Sequence, residues 1–128
     1  MKLFKSPKRI LVIEDHSMVA EMICETLKRS GYDMVAAGFG IQGLQQMERY
    51  PCDLVLMDIK LPDQDGISLL EKFKKRHPEV PVIILTGMEG DEALMKKAMD
   101  LGATAFLGKS SHLQQILQTV EQALTKPA

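Results

Sequence analysis

Five short runs of almost continuously apolar residues punctuate the chain. They are RILVIE (Arg9–Glu14), YDMVAA (Tyr32–Ala37), DLVLMD (Asp53–Asp58), VPVIILT (Val80–Thr86) and ATAFLG (Ala103–Gly108). Strands that are apolar at successive positions, rather than at alternate ones, predict a sheet covered on both faces. Between the runs, apolar residues recur at helical spacing. Val19, Ile23 and Leu27, with Met22 on the same side, predict a helix that Gly31 closes. Ile41, Leu44 and Met47 predict a second, stopped before Pro51. Ile67, Leu69, Leu70 and Phe73 predict a third, which ends before Pro78. Leu94, Ala98 and Leu101 predict a fourth, closed by Gly102, and Leu113, Ile116, Leu117, Val120 and Leu124 a fifth. The pattern is (βα)5. Short right-handed crossovers make of it an α/β fold: a doubly wound, five-stranded parallel sheet with helices on both faces.

In such sheets ligands sit outside the carboxyl ends of the strands, where the strand order reverses. The five ends are not alike. The first run ends in Glu14 and Asp15, the third in Asp58, the fourth in Thr86, and Lys109 follows the fifth. The second ends in Ala36, Ala37 and Gly38, with nothing reactive. That asymmetry places the second strand at an edge and the first beside the third, giving the order 2-1-3-4-5.

Composition narrows the setting. The chain has 128 residues, 45% of them hydrophobic, enough for one domain with a sizeable core. Sixteen basic and 17 acidic residues leave a net charge of -1, which argues against nucleic acid or an anionic membrane as the main partner. No apolar run reaches the roughly 20 residues of a membrane span. The opening MKLFKSPKR lacks the apolar stretch of a signal peptide. Residues 1–8 read as a solvated tail, 9–125 as the domain, and 126–128 as a C-terminal tail or the start of a linker. Cys24 and Cys52 fit no metal or redox spacing and read as buried reduced thiols, consistent with the cytoplasm.

Three carboxylates at one edge of a sheet repel one another. They stay ionised together only with a cation among them, or one takes up a proton. Carboxylate oxygens with room for water suit Mg2+. With that ion and Lys109 the pocket attracts a phosphoryl group, and Asp58 can act as its nucleophile, forming an aspartyl phosphate. The Thr86 hydroxyl can donate to a phosphoryl oxygen.

In this order and on this pattern, the residues resemble the receiver domain of two-component response regulators, and are similar to single-domain chemotaxis-type regulators. The resemblance runs from about Arg9 to Leu124. It rests on the acidic pair Glu14 and Asp15, the acceptor Asp58, the hydroxyl Thr86 and the lysine Lys109, within DIKLPDQDG and LTGMEGDEALMKKAMDLGATAFLGK. It implies a flavodoxin-like fold and a Mg2+ site made by Asp15, Asp58, the backbone carbonyl of Lys60 and, through water, Glu14. It implies that the Gly87 backbone N–H helps hold the phosphoryl group. Phe106 would be the switch aromatic that follows Thr86, and the signalling face would be the fourth helix, fifth strand and fifth helix. The implied partners are a histidine kinase or histidine phosphotransfer protein and a downstream protein target or output domain, with a phosphorylation-linked homodimer as a further state. Such a domain catalyses only its own phosphorylation and dephosphorylation. Lys60 and Met88 occupy positions that tune the dephosphorylation rate in the family. One departure stands out: Ser110 follows Lys109 where the family has proline after a cis bond. A non-proline cis bond costs about 2.5–4 kcal/mol, so a trans bond is expected.

Several plainer readings compete. Glu14 and Asp15 suit the positive end of a helix, Thr86 a strand end, Lys109 a solvated loop, and Phe106 ordinary core packing. PDQDG, with Asp63 and Asp65, reads as turn chemistry. His16, His77 and His112 read as surface or cap residues, and Met95 and Met99 as packing or a contact on the signalling face. GFGIQG (Gly38–Gly43) matches G-x-G-x-x-G with Asp58 20 residues after Gly38, a nucleotide-binding fingerprint, but it follows the second strand. A phosphorylation-independent binding module and a metal-dependent phosphatase are the other classes. The Asp-x-Asp of one phosphatase group is absent, because Ile59 and Lys60 follow Asp58. TKPA reads either as a natural end or as the edge of a longer regulator or hybrid kinase.

Overall fold

The structure, a computed structural model, describes residues 7–87, 91–109 and 111–125. Five strands alternate with five helices: β1 Arg9–Ile13, α1 Ser17–Arg29, β2 Asp33–Ala37, α2 Gly40–Arg49, β3 Leu54–Asp58, α3 Gly66–Arg76, β4 Val82–Thr86, α4 Glu92–Asp100, β5 Ala105–Gly108 and α5 Leu113–Thr125. All strand pairs are parallel and the sheet order is β2-β1-β3-β4-β5. Both features match the expectation from the sequence.

The apolar runs are unbroken because each strand feeds two cores. On β1, Ile10 and Val12 join Ile23 and Leu27 of α1 and Ile116 and Val120 of α5. Leu11 and Ile13 join Leu44 and Met47 of α2, Phe73 of α3 and Ala98 of α4. Strands β3 and β4 are buried along their whole length. Edge strand β2 is covered less fully and is tied to β1 by the Arg9–Asp33 ion pair at 2.8 Å.

Helix ends follow from local chemistry. Gly31 and Gly102 take positive φ values of 97° and 104° just past α1 and α4, a conformation that favours glycine. The carboxylate of Asp65 accepts from Ile67 N–H and caps α3, and that of Asp91 accepts from Leu94 N–H and caps α4.

Three expectations need correction. Met22 is 51% exposed, since it sits on the flank of the narrow α1 stripe that meets the sheet. Ile41 is 52% exposed, because it lies in the first turn of α2, at the rim of the sheet. Cys24 is only half-buried, whereas Cys52 is buried, and burial pushes its thiol up to about 11.

Candidate functional site

Among the described residues, the buried polar or charged side chains are Glu14, Asp58 and Thr86. Their burial is the first structural signal of function, since charged groups are rarely enclosed without a partner or a purpose. All three stand at the carboxyl ends of strands. Glu14 directly follows β1, and its N–H extends the ladder to Ala37 O at 3.0 Å. Asp58 closes β3 and Thr86 closes β4, with Leu85 paired to Asp58 and Gly108 to Thr86.

Lys109 joins these ends. Its N–H donates to Thr86 O at 2.7 Å, which fixes the backbone just past β5. Its Nζ reaches Asp58 Oδ2 at 2.7 Å and Glu14 Oε1 and Oε2 at 2.9 and 3.1 Å. The Oε1 contact is an ion pair without good hydrogen-bond alignment. Burial pulls the ammonium's pKa down, but its bonds to Asp58 and Glu14 outweigh that and raise it on balance. A folded-state value above the ordinary one keeps Lys109 charged through the neutral range, so its stabilising effect is lost only in strong alkali. The second Asp58 oxygen, Oδ1, accepts from Lys60 N–H at 3.0 Å.

Asp15 and His16 stand at the outer edge. His16 Nδ1 lies 3.1 Å from Glu14 Oε2, 3.5 Å from Asp15 Oδ1 and 3.4 Å from Lys109 Nζ. One ligand atom from each of Glu14, Asp15, His16 and Asp58 can be chosen so that all four lie within 4.8 Å of one another. Three carboxylates and one ammonium leave a charge of about -2 at this point, with hard oxygen donors converging on it. The donor set fits a divalent cation such as Mg2+. Glu14 and Asp15 also form one end of a groove of about 850 Å3 between α1 and α2, with Gln42, Gln45 and Gln46 on the other wall.

The structure thus brings together Glu14, Asp15, Asp58, Lys60, Thr86 and Lys109. Gly87 follows Thr86 and faces open space. Phe106 is half-buried on β5, opposite Ile84, and packs against the core under α2, α3 and α4. Ser110 and Met88 lie outside the described residues, and with them the Lys109–Ser110 bond.

Two contributors escape a reading of the sequence. His16 occupies the N-cap position of α1, but its side chain makes no capping bond and turns toward Glu14. The signal was its place directly after the acidic pair. Asp63 reaches across to α2, where Oδ1 accepts from Gly40 N–H at 2.8 Å and Oδ2 from Ile41 N–H at 3.0 Å. This contact also gives GFGIQG a different role. The N–H groups that a nucleotide phosphate would need are held by a carboxylate, and the Gly38 N–H is taken by Gln42 Oε1 at 3.2 Å. A Cβ on Gly43 would strike the Ile13 side chain, so that glycine serves close helix-to-sheet packing.

Comparison with known proteins agrees with this fold. The family model described as "Response regulator receiver domain" matches residues 10–121. The chemotaxis protein CheY of Treponema pallidum is 33% identical over 124 residues, covering 93% of this chain and 84% of that protein. The transcriptional regulatory protein PdtaR of Mycobacterium tuberculosis is 31% identical over 121 residues, 94% of this chain; the match spans only 58% of PdtaR's length. The crystal structure of a CheY-like response regulator receiver domain protein from Methanospirillum hungatei superposes with a TM-score of 0.88 at 31% identity, covering 93% of this chain and 94% of that one.

The fold is that of a signalling domain of two-component systems. The chain belongs to the response regulator receiver family. Receiver domains are generally non-enzymatic signalling domains that bind Mg2+ through acidic residues, and an acidic cluster of that kind is present here. No helix among the described residues is long and apolar enough to cross a membrane.

Proposed function

We propose that the unit from residue 9 to 125 is a phosphorylation-dependent switch whose acceptor is Asp58. The observation that carries this reading is the 2.7 Å contact between Lys109 Nζ and a buried Asp58 at the tip of a central strand, beside Glu14. A carboxylate oxygen of Asp58 attacks the phosphorus of a phosphohistidine on a histidine kinase or phosphotransfer protein. The P–N bond breaks as the O–P bond forms, and the imidazole leaves with the bond's electron pair. Mg2+, when bound, neutralises charge on the transferring phosphoryl oxygens. Asp15, Asp58 and the Lys60 carbonyl would hold it directly, and Glu14 through water. Lys109 pairs with a phosphoryl oxygen, and the Thr86 hydroxyl and Gly87 N–H donate to others. The chain's catalysis is confined to this self-phosphorylation and its reversal.

The signal leaves through β5. Thr86 and Phe106 are the switch pair, and the face made by α4, β5 and α5 contacts a downstream protein or output domain, or a second copy of the chain. The phosphoryl group acts by favouring one of two pre-existing arrangements. Beryllofluoride, a phosphoryl mimic, added with Mg2+ tests this by amide NMR. Shifts should reach Thr86, Phe106 and α4 in the wild type and be absent in Asp58→Asn. Shifts confined to the loops around Asp58, with Phe106 and α4 unmoved, would reduce Phe106 to a packing residue and contradict the switch.

A further inference from the structure

Only three of the four groups gathered as potential ligands are carboxylates. The fourth is the His16 imidazole, whose Nδ1 lies 3.1 Å from Glu14 Oε2 and 3.4 Å from Lys109 Nζ instead of capping its own helix. An N-cap side chain ordinarily accepts a bond from the first turn of its helix. His16 makes none, although its backbone adopts the extended geometry of a cap, with φ -83° and ψ 104°. Its ring instead turns back over the site, with Nδ1 facing Glu14 and Asp15. The His16 N–H is bound to Glu14 Oε2 at 3.0 Å, which holds the residue's backbone to the same carboxylate. The side chain is 67% exposed and can adjust, whereas that of Glu14 is only 1% exposed and fixed.

We propose that His16 sets the metal preference of this site, joining Asp15 and Asp58, with Glu14 behind them through water, as a nitrogen ligand that favours cobalt-, nickel- and zinc-class divalent ions over Mg2+. The inference rests on the cation reading above. Ligand atoms around a six-coordinate ion at about 2.1 Å stand about 3.0 Å apart when adjacent and about 4.2 Å when opposite. The four atoms here already lie within 4.8 Å of one another, so small movements of side-chain tips complete the shell. Mg2+ gains little from an imidazole, because it prefers hard oxygen and retains its waters. Later first-row ions gain substantially from nitrogen, in the order Mn2+ < Co2+ < Ni2+. The same pocket therefore accepts both kinds of ion, and His16 separates them.

Calorimetric titration of the metal-free chain with Co2+ and with Mg2+ tests this. The wild type should bind Co2+ at least about 10-fold more tightly than Mg2+, and Mg2+ should displace the Co2+ competitively. His16→Ala should lose about 10-fold in Co2+ affinity while keeping Mg2+ affinity within about 2-fold. His16→Asn, which restores a good helix cap, should do the same, and the visible spectrum of bound Co2+ should change in both. Three results would overturn the proposal: unchanged Co2+ affinity in both variants, equal losses for the two ions, or Mg2+ that binds yet does not displace the Co2+. His16-dependent Co2+ binding without any Mg2+ binding would support it and contradict the Mg2+ reading instead.

Discussion

Asp63 lies five residues beyond the acceptor and holds the start of α2 by two backbone N–H bonds. The Ile41 N–H, helped by that of Gly40 and opposed by slight burial, keeps its carboxyl below the ordinary value. A depressed folded-state pKa contributes stability that is present above the unfolded value, about 3.9, and is lost as the pH falls through the folded one. Asp63→Ala should therefore cost about 0.5–1 kcal/mol at neutral pH, as for an exposed cap. In urea unfolding the gap from the wild type should stay constant down to about pH 5 and close in stronger acid. A gap that does not depend on pH would show that the carboxylate's charge is not what holds α2. At this scale the sequence was informative where a polar residue ended an apolar run: Glu14, Asp58, Thr86 and Lys109. It was silent on Asp63, whose partners lie more than 20 residues away, and on the direction in which the His16 ring turns.

Elements meet at the site through close backbone approaches. The turn from Ile59 to Gly66 carries the chain from the acceptor into α3, pinned by the bond from Gly66 N–H to Ile59 O at 3.0 Å and by a bridge between Lys60 and Asp65. A Cβ on Gly66 would fall on the Ile59 carbonyl, and backbone cannot give way as a flexible side chain can. Gly66→Ala should destabilise the fold by about 2–3 kcal/mol, seen as a lower urea midpoint with unchanged slope. A change under about 0.5 kcal/mol, as at an ordinary surface site, would contradict this account of the turn. The helical stripes were legible because Ile23, Leu27, Leu44 and Phe73 recur at helical spacing and are buried. Met22 and Ile41 were misread because periodicity records the face of a residue but not the width of the covered stripe.

For the whole molecule, the decisive feature is that β1 and β3 are neighbours although they are not consecutive. Only this order sets Glu14 and Asp15 beside Asp58, and only a fifth strand after β4 returns Lys109 to them. The unequal chemistry of the strand ends made the order readable from sequence, because a bare second strand is best placed at an edge. The side-chain distances that turn those ends into a site were not readable, since they depend on four strands, β1, β3, β4 and β5, packing in register.

The most direct test of the account is the intact mass of the protein after exposure to acetyl phosphate, with and without Mg2+, beside Asp58→Asn. The wild type should gain a single labile phosphoryl group only when Mg2+ is present, and the variant none. An adduct that persists in Asp58→Asn, or none on folded wild-type protein that binds Mg2+, would contradict Asp58 as the phosphoryl acceptor.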